Sequence, residues 1–370
     1  MMDFVFQFLG VVTGNILPAL LVLTIVVFVH EMGHFLVARW CGIRVAAFSI
    51  GFGREIAGFY DRRGTRWKLS LIPLGGYVRF EGDENAASLP DAEALARVPE
   101  SERRGLFHFA PLWKRFAVVA AGPIANFILA ILVFAAVFTI VGRPHILPVA
   151  ESVMAGSAAE RAGILPGDRI LSVDGSSIDS FTELQSLVML SAGESLTFLV
   201  ERGGDQVTLT AVPERQEQPD GLGSTHRIGV LGITAGEVDF RRDDPLSAVS
   251  QGVHETGLII DRTLTYIGRL VTGREGAEQL SGVIRITQVS GAIPTLSGHI
   301  YLLAVLSVSI GLFNLFPIPM LDGGHLVFYL IEALRGRPLS PKLQDIGFRI
   351  GFALVIMLFI FVTFNDIRRI

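Results

Sequence analysis

His30-Glu31-Met32-Gly33-His34 lies inside an otherwise apolar stretch, residues 16–38. On a helix, residues four apart share a face, so His30 and His34 can hold one metal ion between them. Glu31 then falls beside that ion, where a carboxylate can take a proton from water activated by the metal. Ionisable side chains are costly in a membrane-length apolar segment, and their presence there points to function. The bland alternative is a soluble core helix that carries the pattern by accident. A catalytic zinc usually takes three protein ligands and keeps one position open. Asp322 is the best candidate for the third. Gly323-Gly324 after it permit close backbone approach, and Pro317 and Pro319 before it break the helix. Irregular backbone at membrane depth is tolerated only where protein or a water-filled cavity satisfies it, so this segment reads as a site wall. Its alternative is a helix C-terminus with a turn outside the bilayer. His325 is an alternative ligand or a loop residue. Asn314, two helical turns before Asp322, can hydrogen-bond a substrate backbone or an oxyanion, or simply join helices.

The elements that must position these residues are membrane spans. Half of the 370 residues are hydrophobic and the mean hydropathy is +0.52, too apolar for an ordinary soluble enzyme. A net charge of -4 argues against nucleic acid as a partner. Cys41 is the single cysteine, which excludes an intramolecular disulfide and thiol-rich metal sites. Four stretches reach the length of about 20 residues that a bilayer requires. They are 16–38, 116–141, 300–321 and 346–364. The first lacks the basic leader and cleavage site of a secretory signal and is expected to stay as a span. No Lys or Arg precedes Arg39, whereas 39–115 is rich in them, and Arg335, Arg337 and Lys342 lie between spans three and four. These connections are therefore expected on the cytoplasmic side, with the N-terminus and residues 142–299 outside. Arg368-Arg369 runs mildly against that orientation. His30, His34 and Asp322 then share one depth on one side.

Taken together, His30-Glu31-Met32-Gly33-His34 and the segment from Asn314 to Gly324 resemble the site-2 protease family of intramembrane zinc metalloproteases. The nearer likeness is to the bacterial regulator of sigma-E protease branch. Ser49-Ile50-Gly51-Phe52-Gly53, Ile72-Pro73-Leu74-Gly75-Gly76-Tyr77-Val78 and Ala121-Gly122-Pro123-Ile124-Ala125-Asn126 are similar to further family segments, and the likeness covers nearly the whole chain. It implies a zinc ion held by His30, His34 and Asp322, with Glu31 as catalytic acid and base. It also implies Asn314 as a substrate contact, with Gly75, Gly76, Tyr77, Pro317 and Pro319 near substrate.

The resulting fold class is a polytopic α-helical membrane protein with four transmembrane helices, a membrane-associated β-hairpin sheet and one periplasmic PDZ domain. Residues 1–44 carry the histidines. Region 45–80 alternates apolar and polar residues with turn-forming glycines, and strands are expected at 67–72 and 77–80. Its role is either purely structural or, as the family implies, an edge strand offered to substrate. Residues 81–115 form a polar insert and an aromatic, basic approach to the span at 116–141. Residues 142–213 resemble a PDZ domain of the bacterial protease type, with a helix at 181–190 and a hairpin from 195–201 and 206–212. Asp168 and Asp174 within it read as turn residues. Residues 214–298 are too irregular for a second copy but contain an amphipathic helix at 246–271. There, Leu280-Ser281-Gly282-Val283-Ile284 resembles a family segment with valine in place of proline. Then follow the span at 299–324, a cytoplasmic loop at 325–345 and the last span at 346–370. The expected activity is zinc-dependent cleavage of single-span membrane proteins, such as an anti-sigma factor or signal-peptide remnants, at the bacterial inner membrane. The lipid bilayer is the expected surrounding partner, and the resemblance implies that the PDZ domain acts as a size filter or peptide binder. The rivals are a non-catalytic PDZ-bearing scaffold and a zinc carrier or sensor. A scaffold has no need of Glu31, and a transporter is expected to show several polar spans or repeated halves.

Overall fold

A computed structural model describes residues 12–83, 98–219, 225–236, 238–273 and 282–368. Residues 84–97 of the polar insert, Leu280-Ser281 and Arg369 lie outside the described residues. The chain divides into two compact units, the second of which runs mainly from Phe138 to Asp244.

In the first unit, four helices are long and apolar enough to cross a membrane: Gly14–Trp40, Leu112–Ile140, Leu296–Asn314 and Lys342–Ile367. The third differs from its expected extent. It stops at Asn314, the chain turns through residues 315–321, and Asp322 opens a separate helix, Asp322–Arg335, where a loop was expected from residue 325. Pro317 and Pro319 supply no backbone N–H to extend the span, and Met320 adopts φ 94, a strained conformation for a side-chain-bearing residue. Arg115 near the start of the second span holds the new helix by two hydrogen bonds to Glu332, at 2.5 and 3.1 Å. Asp322 thus begins an element whose far end is anchored to the second span.

The β region is a long hairpin, β1 (Val45–Tyr60) and β2 (Arg66–Phe80). Of the glycines expected to make turns, Gly64 does so, beside Asp61, whose carboxylate accepts from the backbone N–H groups of Arg63 and Thr65. Gly51, Gly53 and Gly75 lie within the strands at positive φ, where they form bulges. The bulges bend both strands, so residues 47–50 pair with 66–69 and also with 76–79. Gly76 to Val78 is left at a border of the sheet, without a second strand partner among the described residues. Phe48 is fully buried between Phe28 and Phe35 of the first span and Trp67 of the hairpin, which docks the sheet on that span.

The helix Pro245–Val271 forms where amphipathic spacing predicts it, but it packs by a different face. Its buried residues are Ala248, Gly252 and Thr256, whereas Val249 and Val253 stay exposed. A Cβ at Gly252 would stand 2.8 Å from the Ile131 carbonyl oxygen of the second span, and Tyr301 of the third span donates to Glu255 at 3.0 Å.

The second unit contains β3 (Arg143–Ile146), β4 (Ala150–Val153), β5 (Arg169–Val173), β6 (Ser176–Ser177), β7 (Leu196–Arg202) and β8 (Asp205–Ala211). Strands β5 to β8 form one sheet in the order β6-β5-β7-β8, and Leu184 of the helix Phe181–Leu190 shares a buried core with Ile170 and Phe198 of the sheet. The PDZ-like pattern in the sequence ends at residue 213. Four further strands follow instead: β9 (Glu214–Pro219), β10 (Thr225–Val230), β11 (Ile233–Ala235) and β12 (Val238–Arg241). Strands β11 and β12 return to pair with β4 and β3. Asp168 accepts from the Leu165 N–H and from Arg202 at 2.6 and 2.7 Å; that guanidinium, with the Leu165 N–H, holds its carboxyl below the usual range. Asp174, at φ 47, accepts from the Thr197 N–H. Both acids organise turns.

Candidate active site

His30 and His34 are buried on one face of the first span, with their Nε2 atoms 3.2 Å apart. Asp322 Oδ2 lies 3.0 Å from the first and 3.4 Å from the second. These edges match those of a tetrahedral site whose bonds are about 2 Å. The protons agree. His34 Nδ1–H donates to the Val118 carbonyl at 2.8 Å, which leaves a lone pair on Nε2. Asp322 Oδ2 is buried with no N–H aimed at it. Two imidazole nitrogens and an anionic oxygen that converge in this way are a donor set for zinc.

The second span makes this convergence possible. A Cβ at Gly122 would overlap His34 Nε2, so only glycine lets the backbone pass the imidazoles at this distance. One turn further, Asn126 is fully buried, with its side-chain nitrogen 3.3 Å from His30 Nδ1 and its side-chain oxygen without a partner. Two arrangements satisfy this contact. Either His30 Nδ1 accepts and Nε2 carries the proton, or Nδ1 carries the proton and a half-turn of the carboxamide presents Oδ1 to it. Only the second frees Nε2 for a metal. Ser307 of the third span donates to the Asn126 carbonyl at 2.8 Å and ties this turn to the third span.

Glu31, Asn314, Gly76, Tyr77 and His325 line one cavity of about 350 Å³ with His30, His34 and Asp322. The border strand and the three converging side chains therefore share a single space. Gly75, Pro317 and Pro319 do not line it. Gly75 packs its backbone against the Phe52 ring, and Pro319 packs on the fourth span, where a Cβ at Gly351 would overlap the Pro319 carbonyl oxygen. His325 faces Tyr329 and Phe348 and is not among the converging residues. In the sequence Asn126 stands at the end of a family-like segment with no assigned role; a lone amide in a charge-free span is the signal that marks it.

Asn126→Leu is expected to weaken zinc binding by about 10- to 100-fold, the range for a group that orients a ligand without touching the metal. Asn126→Asp, which keeps an acceptor for His30 Nδ1–H, is expected to restore it. Competition with a chelator on the full chain measures both, and equal affinity in the Leu variant would remove Asn126 from the site.

A buried His-His-Asp cluster, with a carboxylate and an amide around the same cavity among apolar spans, defines a metallohydrolase centre in a membrane protein. The model of Peptidase family M50 matches residues 18–358. An Agrobacterium fabrum protein named a candidate zinc metalloprotease is 53% identical over 367 residues, covering 98% of this chain and 97% of the relative. A Rhizobium meliloti protein of the same description is 51% identical over 94% and 95% of the two chains. Metalloprotease MmpA of Caulobacter vibrioides is 42% identical over 95% and 94%. The chain belongs to peptidase family M50, the site-2 protease family, and is a zinc metalloprotease.

Proposed function

We propose that this protein cuts single-span membrane proteins within or near their membrane segments, with the active site toward the cytoplasmic side of a bacterial inner membrane. The supporting observation is the shared cavity: an unpaired strand border, Gly76 to Val78, runs beside His30, His34 and Asp322. A helical substrate hides its scissile amide behind side chains and its own hydrogen bonds, so it must unwind. A strand border can hold the extended form by strand addition.

Zinc, when bound, supplies a polarised carbonyl and a water acidified toward a pKa of about 7. His30, His34 and Asp322 hold the ion, and the Val118 carbonyl and Asn126 fix the two imidazoles. Glu31 accepts the proton of the attacking water and returns it to the leaving amine. Asn314 contacts the substrate backbone or the developing oxyanion. Burial of the centre among apolar side chains strengthens each of these interactions.

In this reading the second unit is a periplasmic PDZ domain that excludes substrates with bulky external domains. Its sheet of β5 to β8 with the helix Phe181–Leu190 supports the assignment. Anti-sigma factors and signal-peptide remnants are substrates of the right form. The test is reconstitution of the zinc-loaded chain in liposomes with two reporters, a single-span segment and the same segment as a water-soluble peptide with charged residues interspersed. Cleavage of the spanning reporter, faster when Gly or Pro lies near its scissile bond, is expected. Cleavage confined to the soluble peptide would refute intramembrane specificity.

A further inference from the structure

We infer that the cavity between the end of the first span and the start of the second binds the phosphate of an anionic phospholipid headgroup. This hollow of about 310 Å³ is bordered by Cys41, by Arg103, Arg104 and Phe109, and by Lys114 in the first turn of the second span; no acidic side chain lines it. Its level in the bilayer follows from two exposed rings. Trp40, 88% exposed, ends the first span, and Trp113, 64% exposed, opens the second. Such side chains settle among headgroups.

The cations around the hollow differ from their neighbours. Arg39 is paired with Asp61, Arg44 with Glu81, and Arg115 with Glu332. Arg103, Arg104 and Lys114 meet no carboxylate among the described residues. The Arg103 guanidinium lies over the Phe109 ring, 4.9 Å from its centroid, with Nε donating to the Val98 carbonyl; its Nη groups remain for a ligand. Lys114 Nζ donates to the Cys41 carbonyl at 2.7 Å and keeps two further protons. Arg104 is exposed with no partner among the described residues. Two guanidinium groups and an ammonium around one hollow suit the oxygens of a phosphate. At headgroup level the bilayer itself supplies that group, and the exposed rings of Phe109 and Trp113 offer apolar contact to the rest of the lipid.

Cys41, the single cysteine, reports on occupancy without further engineering. The full chain is placed in nanodiscs of phosphatidylcholine, with or without phosphatidylglycerol, and alkylation of Cys41 by an uncharged maleimide is timed. Phosphatidylglycerol is expected to slow the reaction by about fivefold or more in the native chain. Arg103→Gln with Arg104→Gln abolishes that protection, since loss of two cations at an anionic surface weakens headgroup binding by about thirtyfold. Arg103→Lys with Arg104→Lys retains most of it. Unchanged zinc affinity shows that each variant is folded. Equal slowing in the native and Gln proteins would reveal only the surface potential and overturn the proposal. Absence of slowing in the native chain would also overturn it. Protection by inorganic phosphate in pure phosphatidylcholine discs would make a soluble anion the ligand and refute the lipid assignment.

Discussion

Glu31→Gln is expected to leave zinc affinity unchanged and to lower proteolysis by about 10²- to 10⁴-fold, the usual contribution of a positioned general acid–base group. The substitution preserves size and shape, so the first span packs as before. It removes the one property the reaction needs there, the capacity to accept a proton from water and pass it to the leaving nitrogen. Glu31 lines the cavity but is not among the three converging side chains, so metal binding and turnover are expected to separate at this residue. Its methylene sits close to the border strand: a Cβ at Gly76 would stand 3.4 Å from Glu31 Cγ. A substrate strand on that border would therefore bring its amide to the carboxylate. Equilibrium zinc titration and reporter cleavage on the same preparation check both halves. Equal turnover in the Gln form would assign the proton transfers elsewhere, whereas loss of zinc would make Glu31 a ligand.

Much of this centre was legible because membrane physics restricts what a sequence can mean. Runs of about 20 apolar residues have few interpretations, and two histidines four apart on such a run must share a face. Asp322 was legible as an acid beside prolines, but its place at the start of a helix was not. Prolines announce that one element ends, and they say nothing of what begins next. The 245–271 helix shows the same limit from the other side. Its hydrophobic spacing was correct, but contact is made through Ala248, Gly252 and Thr256, because close helix packing favours small residues over large apolar ones. Strands β11 and β12 pair with segments at least 80 residues earlier. No local pattern encodes such partners. The Val118 carbonyl is backbone and carries no residue signature at all.

Asp322→Asn is expected to weaken zinc binding by at least about 100-fold and to reduce cleavage to background. The effect should exceed that of Asn126→Leu, because Asp322 is itself a converging donor and the only anion in the set. An amide oxygen in its place keeps the shape but removes the charge that offsets a divalent cation among apolar side chains, where uncompensated charge is costly. The two histidines remain on the first span, so the variant tests whether that helix face suffices alone. Asp322→Ala is expected to behave like the Asn form if charge and ligation are both lost there. Native-like affinity in both would shift the third ligand to another residue, and His325, which lines the same cavity, would be examined next. The position of Asp322 also depends on groups that never reach the cavity. Arg115 holds Glu332 on the same helix, and Gly351 of the fourth span accommodates the Pro319 carbonyl just before it. The fourth span adds no residue to the converging set among the described residues, yet it packs against the turn that leads into Asp322.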